Sequence, residues 1–398
     1  MAETRSQVLR SKLPHVGTTI FTVMSQRAAE LGAVNLGQGF PDYDVDPLLI
    51  ECIHQAMLGG ANQYAPMAGV APLREAIARK IQRFRGIRLD PATEITVTLG
   101  ATEAIFSAIQ ALVGPGDEVL VFDPAYDSYD PAVCLAGARC VHVPLMPPLF
   151  TPDWDRVRAA LNERTRLVII NSPHNPACSC LGADDLATLA ELLRGRDCRV
   201  IADEVYEHMV FDGRAHASVL EHAELRQRSV AVYSFGKTLH ATGLRVGYAV
   251  APEALSAELR KVHQFNTFSI AHAPQLGIAR YLDRRPDCGA DLPAFFQSRR
   301  DFLLAQLQGS GLEASPAAGS FFQLIDYRAL SSEADTTMAE RLLTEAGVAT
   351  IPLSVFYQSP PPLRYLRLCF AKRESTLLEG AARLRHWAVG AHAPAGSR

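Results

Sequence analysis

The sequence lacks several features that would assign it to a specialised class of protein. No apolar run approaches the ~20 residues of a membrane-spanning helix, and residues 1–8 lack the apolar core of a secretory signal peptide. No basic run is interleaved with aromatic residues, and the net charge of −3 gives no general attraction to nucleic acid or anionic membranes. We therefore expect a cytoplasmic protein with neither a nucleic-acid nor a membrane partner.

Cysteine pairs that would suggest disulfides or a metal site are also scarce. The eight cysteines are scattered along the chain, which favours reduced thiols in the cytosol. Only Cys178 and Cys180 lie close together, and their separation of two residues is too small for the usual zinc spacing. Because no second pair complements them, the sequence predicts no metal site and places these two thiols in the core or in a loop.

The residues that are present favour an α/β fold. A chain of 398 residues is longer than one hydrophobic core usually serves, so two domains are expected. From residue 95 onward, short Val/Ile/Leu runs alternate with helical segments, and continuous apolar runs are typical of strands that are covered on both faces. The pattern predicts a mostly parallel, doubly wound sheet with strands at 95–99, 118–123, 139–145, 166–171, 199–204, 229–235 and 245–251.

The regular alternation ends near residue 285, and this suggests the division of the chain. Strands at 320–326, 348–352 and 363–370, with helices between them, indicate a smaller α+β domain over 286–398. Residues 47–285 form the predicted large domain. Residues 1–46 form a predicted N-terminal arm that also belongs in part to the smaller domain.

A candidate ligand site begins at the tetrapeptide Ser234-Phe235-Gly236-Lys237. It follows an apolar strand that Gly236 is expected to break, at the strand end where open α/β sheets bind ligands. A partly neutral lysine forms Schiff bases with aldehydes. Arg245, eight residues later, suits a phosphate, and the Ser234 hydroxyl could assist. The combination suggests pyridoxal phosphate (PLP), although a lone lysine is more often a solvated surface charge.

Further polar and aromatic residues follow the other predicted strands. Asp203 ends an apolar run, where a carboxylate requires a cation such as a protonated pyridine nitrogen, or else a structural ion pair. Tyr206 and Asn175 could reach a phenolic oxygen, and Tyr126 could stack on a ring, although a core tyrosine and an Asn-Pro turn are the simpler alternatives. The glycine turn at 100–103 opens a helix whose free N–H groups suit a phosphate. Together these parts match the needs of PLP.

These stretches resemble the class I/II family of fold-type-I PLP-dependent aminotransferases. Within that family the sequence is most similar to the bacterial methionine aminotransferases and the kynurenine aminotransferase group. The resemblance implies a PLP-transferase fold, and an enzyme that moves the amino group of an L-amino acid to a 2-oxo acid by a ping-pong mechanism. The matching stretches are 35–42, 62–66, 96–104, 203–206, 234–237 and 366–372.

The resemblance also implies a role for each matching residue of the cofactor site. Lys237 would bind the aldehyde of PLP and then serve as base and acid, and Asp203 would pair with the ring nitrogen. Tyr64 would reach the phosphate in the partner subunit's site, so that a homodimer shares its two sites. The other implied cofactor contacts come from Ala101, Thr102, Tyr126, Asn175, Tyr206, Ser234 and Arg245.

For the substrate, the resemblance implies that Arg367, Asn175 and the Gly39 backbone hold the α-carboxylate. From the residues alone, the loop around Gly39 could equally be a plain turn, and Arg367 could instead pair with a structural carboxylate. We expect a preference for methionine or aromatic amino acids, because apolar side chains are available for the pocket: Ile20, Phe21, Phe40, Phe268, Phe356 and Tyr357.

Two further points remain open at the level of sequence. The family usually has a threonine and a glycine after the Asn-Pro pair, where this chain has Ala177 and Cys178, so the geometry of that loop is expected to differ. A PLP-dependent β-lyase that cleaves the C–S bond of cysteine conjugates would use the same residues, and it is the alternative activity.

Overall fold

The computed structural model describes residues 11–392, with twelve strands and fourteen α-helices in that range. The strands are β1 (Val34–Asn35), β2 (Ile95–Thr98), β3 (Glu118–Asp123), β4 (Arg139–Pro144), β5 (Thr165–Asn171), β6 (Arg199–Asp203), β7 (Ser229–Ser234), β8 (Gly247–Val250), β9 (Phe322–Asp326), β10 (Val348–Ala349), β11 (Ile351–Pro352) and β12 (Tyr365–Cys369).

The helices pack on both faces of the sheets, and none within residues 11–392 is long and apolar enough to cross a membrane. They are α1 (Ile20–Glu30), α2 (Pro47–Leu58), α3 (Ala71–Arg85), α4 (Gly100–Leu112), α5 (Tyr129–Leu135), α6 (Trp154–Ala160), α7 (Ala183–Leu193), α8 (Ala223–Arg226), α9 (Phe235–Thr238), α10 (Glu253–Asn266), α11 (His272–Arg284), α12 (Leu292–Leu307), α13 (Asp335–Arg341) and α14 (Glu374–His392).

The central sheet has seven strands in the order β2-β8-β7-β6-β5-β3-β4. Strand β8 runs antiparallel to both of its neighbours, whereas the pairs among β7, β6, β5, β3 and β4 are parallel. The prediction of a mostly parallel α/β sheet is therefore confirmed. The carboxyl ends of six strands, together with the start of β8, lie along one edge of this sheet.

A smaller antiparallel sheet, in the order β11-β12-β9, packs with α13, and α12 packs against α14 beside it. The predicted strand at 348–352 is wrong as a single element, because its two halves have different partners. Strand β10 pairs with β1 near the N-terminus, and β11 pairs with β12. The boundaries of the three predicted regions themselves remain a prediction.

Two predicted strand ends near Lys237 need correction. The strand predicted at 245–251 begins only at Gly247, because Arg245 has a φ of 52° and therefore a left-handed backbone that no strand tolerates. The preceding strand ends at Ser234, and the chain turns into α9 at Phe235, one residue before Gly236. Gly236 does not end the strand. It allows the chain to pack closely against Thr242, because a Cβ on Gly236 would lie 3.1 Å from the Thr242 Cα.

The start of α4 approaches the sheet closely because Gly247 has no side chain. A Cβ atom on Gly247 would lie 2.6 Å from the carbonyl carbon of Gly100 and 2.7 Å from the backbone nitrogen of Ala101. Both are backbone atoms of the first turn of α4, so they cannot rotate away. The position of this helix N-terminus at the sheet edge therefore depends on Gly247.

We expect Gly247→Ala to lower the free energy of unfolding by about 1–3 kcal/mol, as overpacking of a close contact does. Urea unfolding of the purified protein measures the change. Gly243→Ala is the matched control, because its Cβ would meet no atom within 4 Å, and we expect it to stay within about 0.5 kcal/mol of wild type. Equal midpoints for the two variants would contradict the packing argument.

Candidate active site

A cavity of about 220 Å³ opens at the carboxyl edge of the central sheet, where β12 of the smaller sheet meets it. Its walls bring together residues that are far apart in the sequence. The predicted site residues that line it are Gly39, Ala101, Thr102, Tyr126, Asn175, Asp203, Tyr206, Ser234, Lys237, Arg245 and Arg367.

Lys237 reaches the cavity from α9 and lies in apolar surroundings. Its Nζ atom is 5.0 Å from the ring centre of Phe321 and 5.6 Å from that of Tyr206. Burial, assisted by the positive charges of Arg245 and Arg367, lowers the pKa of Lys237 to about 8, against the opposing effect of Asp203. The neutral fraction near neutral pH is therefore much larger than that of an ordinary lysine, and neutral amine is what a nucleophile requires.

Asp203 ends β6 with its carboxylate buried in the floor of the cavity. The hydroxyl of Tyr129 donates to Asp203 Oδ2 at 2.6 Å, and the backbone N–H of Val205 faces Oδ1 at 3.4 Å. Burial raises the pKa of Asp203 to about 6, although the Tyr129 hydrogen bond and the charge of Lys237 act in the opposite direction. A cationic group on a bound ligand would remove much of this penalty.

Asn171 joins two of the predicted site residues. It lies directly opposite Asp203 in the β5–β6 register, and its Nδ2 atom donates to the Asp203 carbonyl at 2.8 Å. Its Oδ1 atom accepts the backbone N–H of Asn175 at 2.7 Å. Neither Asn171 nor Tyr129 is predicted from the sequence, although a polar residue at the end of an apolar strand is a signal that could have identified Asn171.

One end of the cavity is rich in groups that bind anions. Ala101 and Thr102 belong to the first turn of the 13-residue helix α4, whose free N–H groups and dipole favour negative charge. The guanidinium of Arg245 fits against Gly100 so closely that a Cβ there would lie 2.8 Å from Nη2. Apart from a long contact of 3.4 Å from Nη1 to the Thr242 carbonyl, no hydrogen bond of Arg245 is found among the described residues.

Another part of the cavity wall is formed by Arg367 on β12. Its Nη1 atom donates to Asn175 Oδ1 at 2.6 Å, and its Nη2 atom donates to the Gly37 carbonyl at 2.9 Å. The guanidinium lies 3.8 Å from the ring centre of Phe322, and Nε is buried without a hydrogen-bond partner in the described structure. Within residues 11–392, no carboxylate oxygen lies within 4 Å of this arginine. The cavity therefore contains a buried cation that has no direct ion-pair partner among the described residues, although the more distant carboxylate of Asp127 acts on it.

Comparison with known proteins agrees with this constellation. The family model for aminotransferase class I and II matches residues 32–384. The chain belongs to the class I and II aminotransferases. It is thus an α/β enzyme of this family, and the expected family resemblance is confirmed.

Individual relatives cover nearly the whole aminotransferase chain. It is 52% identical to the methionine aminotransferase of Escherichia coli over 376 residues, which is 94% of this chain and 97% of that protein. It is 32% identical to human kynurenine–oxoglutarate transaminase 1, over 91% of this chain and 94% of that protein. A solved E. coli structure with methionine aminotransferase function has a TM-score of 0.93 at 51% identity, covering 95% of this chain and 99% of that one.

Three predicted residues lie outside the cavity of the single aminotransferase chain. Tyr64 is 83% exposed, with its ring edge-on to that of Phe268 at 5.3 Å. Phe40 is at the surface, where the Lys372 ammonium lies 4.9 Å from its ring centre. Ile20 begins α1 and lines a neighbouring cavity of about 450 Å³ that shares Tyr126 with the first.

The apolar wall of the cavity differs in part from the expected one. Of the predicted aromatic residues only Phe21 lines the cavity. The ring of Phe356 packs against that of Phe21, with 5.6 Å between the ring centres. Tyr357 is turned away, since its hydroxyl donates to the Leu145 carbonyl. Phe322, Ile105 and Val205 complete the wall.

We expect Asp203→Asn to lower the pKa of Lys237 further, because it removes the negative charge that favours the ammonium form. The pH dependence of Lys237 acetylation by acetic anhydride, read by peptide mass spectrometry on cofactor-free protein, measures this. Asp127→Asn is the matched control: it also removes a carboxylate near the cavity, but one that is not among the main influences on the pKa of Lys237. A pKa that is unchanged in Asp203→Asn would show that the two groups are not coupled.

Proposed function

We propose that this aminotransferase binds PLP through Lys237 and transfers the amino group of an apolar or aromatic L-amino acid to a 2-oxo acid. The observation that carries the proposal is the buried, unpaired Arg367 in the same cavity as a lysine of lowered pKa. The first group binds a substrate carboxylate, and the second reacts with a carbonyl carbon.

The residues present fit this cofactor at each of its polar groups. The first turn of α4, the Ser234 hydroxyl and the under-occupied guanidinium of Arg245 would hold the phosphate. Asp203 would pair with the pyridine nitrogen, and that positive charge would stabilise the carboxylate form of a group whose burial now disfavours it. Tyr126 would cover the ring, and Asn175 and Tyr206 would bond its phenolic oxygen. When bound, PLP supplies the electron sink for cleavage of a bond at Cα.

The chain itself supplies orientation and proton transfer. Arg367 and Asn175, together with the Gly39 backbone, would fix the α-carboxylate, which places the Cα–H bond in the apolar region near Lys237. The neutral Nζ of Lys237 then takes the Cα proton and later returns it, as a general base and acid whose pKa is close to the working pH. Phe21, Phe322 and the other apolar wall residues exclude water from this step.

We expect Arg367→Gln to lower kcat/KM by about 30- to 4,000-fold, which corresponds to the ~2–5 kcal/mol lost when one partner of a buried charge pair is truncated. Steady-state kinetics with the amino donor and with the 2-oxo acid test this, since both substrates carry the carboxylate. Arg364→Gln, three residues earlier and outside the cavity, is the control and should leave both values unchanged. Loss of less than threefold in Arg367→Gln would exclude the assigned role.

The preference for apolar donors rests on the cations of the cavity. Among the described residues that line it, Lys237, Arg245 and Arg367 are the basic ones, and each already has a proposed partner. A second carboxylate on an aspartate or glutamate side chain would be buried unpaired, which is costly. A thioether or aromatic ring would contact Phe21 and Phe322, with burial worth about 25 cal/mol per Å². The names of the E. coli and human relatives agree with such donors.

Donor specificity follows as the second test of function. We expect kcat/KM for methionine, phenylalanine and kynurenine to exceed that for aspartate and glutamate when all are measured with one common 2-oxo acid. The physical reason is the unpaired charge that the dicarboxylates would bury. If kcat/KM for aspartate or glutamate were tenfold higher than for methionine, the proposed apolar pocket would be wrong, even though the assignment as a transaminase would stand.

We also propose a homodimer with shared sites, in the cytoplasm. The exposure of Tyr64, which is outside its own cavity, supports a role in the site of a partner subunit. All eight cysteines are free thiols, which supports a reducing compartment. A mixture of Tyr64→Phe and Lys237→Ala subunits would regain activity only if the sites are shared.

A further inference from the structure

A second cluster of reactive side chains lies on β4 and α5, apart from the residues that line the active-site cavity. It consists of Asp130, Cys140 and His142, whose carboxylate, thiol and imidazole donor atoms all lie within 4.8 Å of one another. Cys140 and His142 are two residues apart on β4, so their side chains are on the same face of this edge strand. Asp130 approaches them from the first turn of α5.

The imidazole of His142 is held in a defined orientation. Its Nδ1 atom is hydrogen-bonded to Asp123 Oδ1 at 2.8 Å, and Asp123 is itself fixed because Oδ2 accepts the backbone N–H of Gln358 at 2.8 Å. Nε2 therefore faces Asp130 Oδ1, at 3.5 Å. A histidine with one nitrogen on a buried carboxylate and the other directed at further donors is the usual arrangement of a metal-binding histidine.

We propose that Asp130, Cys140 and His142 bind a zinc ion. One sulfur, one imidazole nitrogen and one carboxylate oxygen form a donor set that Zn²⁺ accepts in tetrahedral geometry, with bonds of ~2.0–2.3 Å. Such bonds place ligand atoms roughly 3.5 Å apart, so the cluster needs only a small contraction around the ion. Asp130 is exposed and the other two are half-buried, which leaves a path for the ion and room for a fourth ligand.

The fourth ligand is water, or Cys134 once its thiol leaves the Lys12 carbonyl, to which it donates at 3.7 Å. Cys134 is an exposed residue four positions after Asp130, one turn along α5 and on the same side of the helix. The position of the cluster ties α5 to β4. Helix α5 begins with Tyr129, which donates to Asp203, so a bound ion would also anchor the segment that carries this hydrogen bond.

The competing interpretation is a metal-free ion pair in which a protonated His142 lies between Asp123 and Asp130. The sulfur atom separates the two interpretations. In the metal-free arrangement the Cys140 side chain only hydrogen-bonds to Asp130, which a serine hydroxyl can also do, whereas the zinc site needs the sulfur as a ligand. Removal of Cys140 alone therefore decides between them.

The test is zinc binding by the holoenzyme, measured by equilibrium dialysis at neutral pH and by X-ray absorption at the zinc edge. We expect one zinc ion per chain with one or two sulfur ligands, and at least a ~100-fold higher Kd in Cys140→Ser and in Asp130→Asn. Cys180→Ser, a comparably half-buried thiol elsewhere, should bind zinc like wild type.

Asp130→Asn keeps the experiment decisive if Cys140→Ser does not fold, because Asp130 is an exposed side chain. Zinc bound only through nitrogen and oxygen, or with the same Kd in wild type and in these variants, would overturn the proposal. Zinc that binds in the active site cannot be mistaken for zinc at the cluster. Neither Cys140 nor Asp130 lines the active-site cavity, so their substitution would not weaken binding there.

Discussion

The hydrogen bond from Arg367 to Asn175 is the contact on which the geometry of the site depends. It joins β12 of the smaller sheet to the loop that follows β5 of the central sheet. Asn171 continues the connection, because it accepts from the Asn175 backbone and donates to the Asp203 carbonyl. A carboxylate held by Arg367 is thereby placed at a fixed distance from the groups that would hold the cofactor ring.

The site is assembled at an electrostatic cost that a ligand can offset. The pKa of Asp203 in the folded protein is raised to about 6, so the fold loses stability as the pH rises from the ordinary value of 3.8 through 6. The pKa of Lys237 is lowered to about 8, so stability is regained only as the pH rises from 8 through its ordinary value of 10.5. Between pH 6 and 8, the fold disfavours both the carboxylate form of Asp203 and the ammonium form of Lys237. A ligand that pairs with Asp203 and reacts with Lys237 binds only the folded state and therefore stabilises it.

Much of this arrangement could be predicted from the sequence because its parts follow the ends of apolar strands. Lys237 and Asp203 can be identified from the sequence for this reason. Local apolar patterns mark the strands that precede them, and the parallel topology brings the carboxyl ends of these strands together. Asn171 carries the same strand-end signal, whereas Tyr129 could not be assigned because its importance lies in a hydrogen bond to Asp203, which is distant in the sequence. Phe40 and Ile20 could not be placed, because loop and helix positions are set by tertiary packing. The Asp130–Cys140–His142 cluster was hidden for the same reason: helix α5 and strand β4 must first pack together.

The loop after Asn175 shows how a departure from the family pattern is accommodated. Cys178 occupies the position where the family usually has glycine, and its φ of 63° is left-handed, which costs a residue with a side chain about 1–2 kcal/mol. Its carbonyl accepts the backbone N–H groups of Ala318 and Gly319, at 3.1 and 3.2 Å. Two such bonds, at roughly 0.5–1.5 kcal/mol each, are enough to offset the strain. They also fasten the loop to the segment before β9, so that Asn175 remains in place for Arg367 although the glycine is absent.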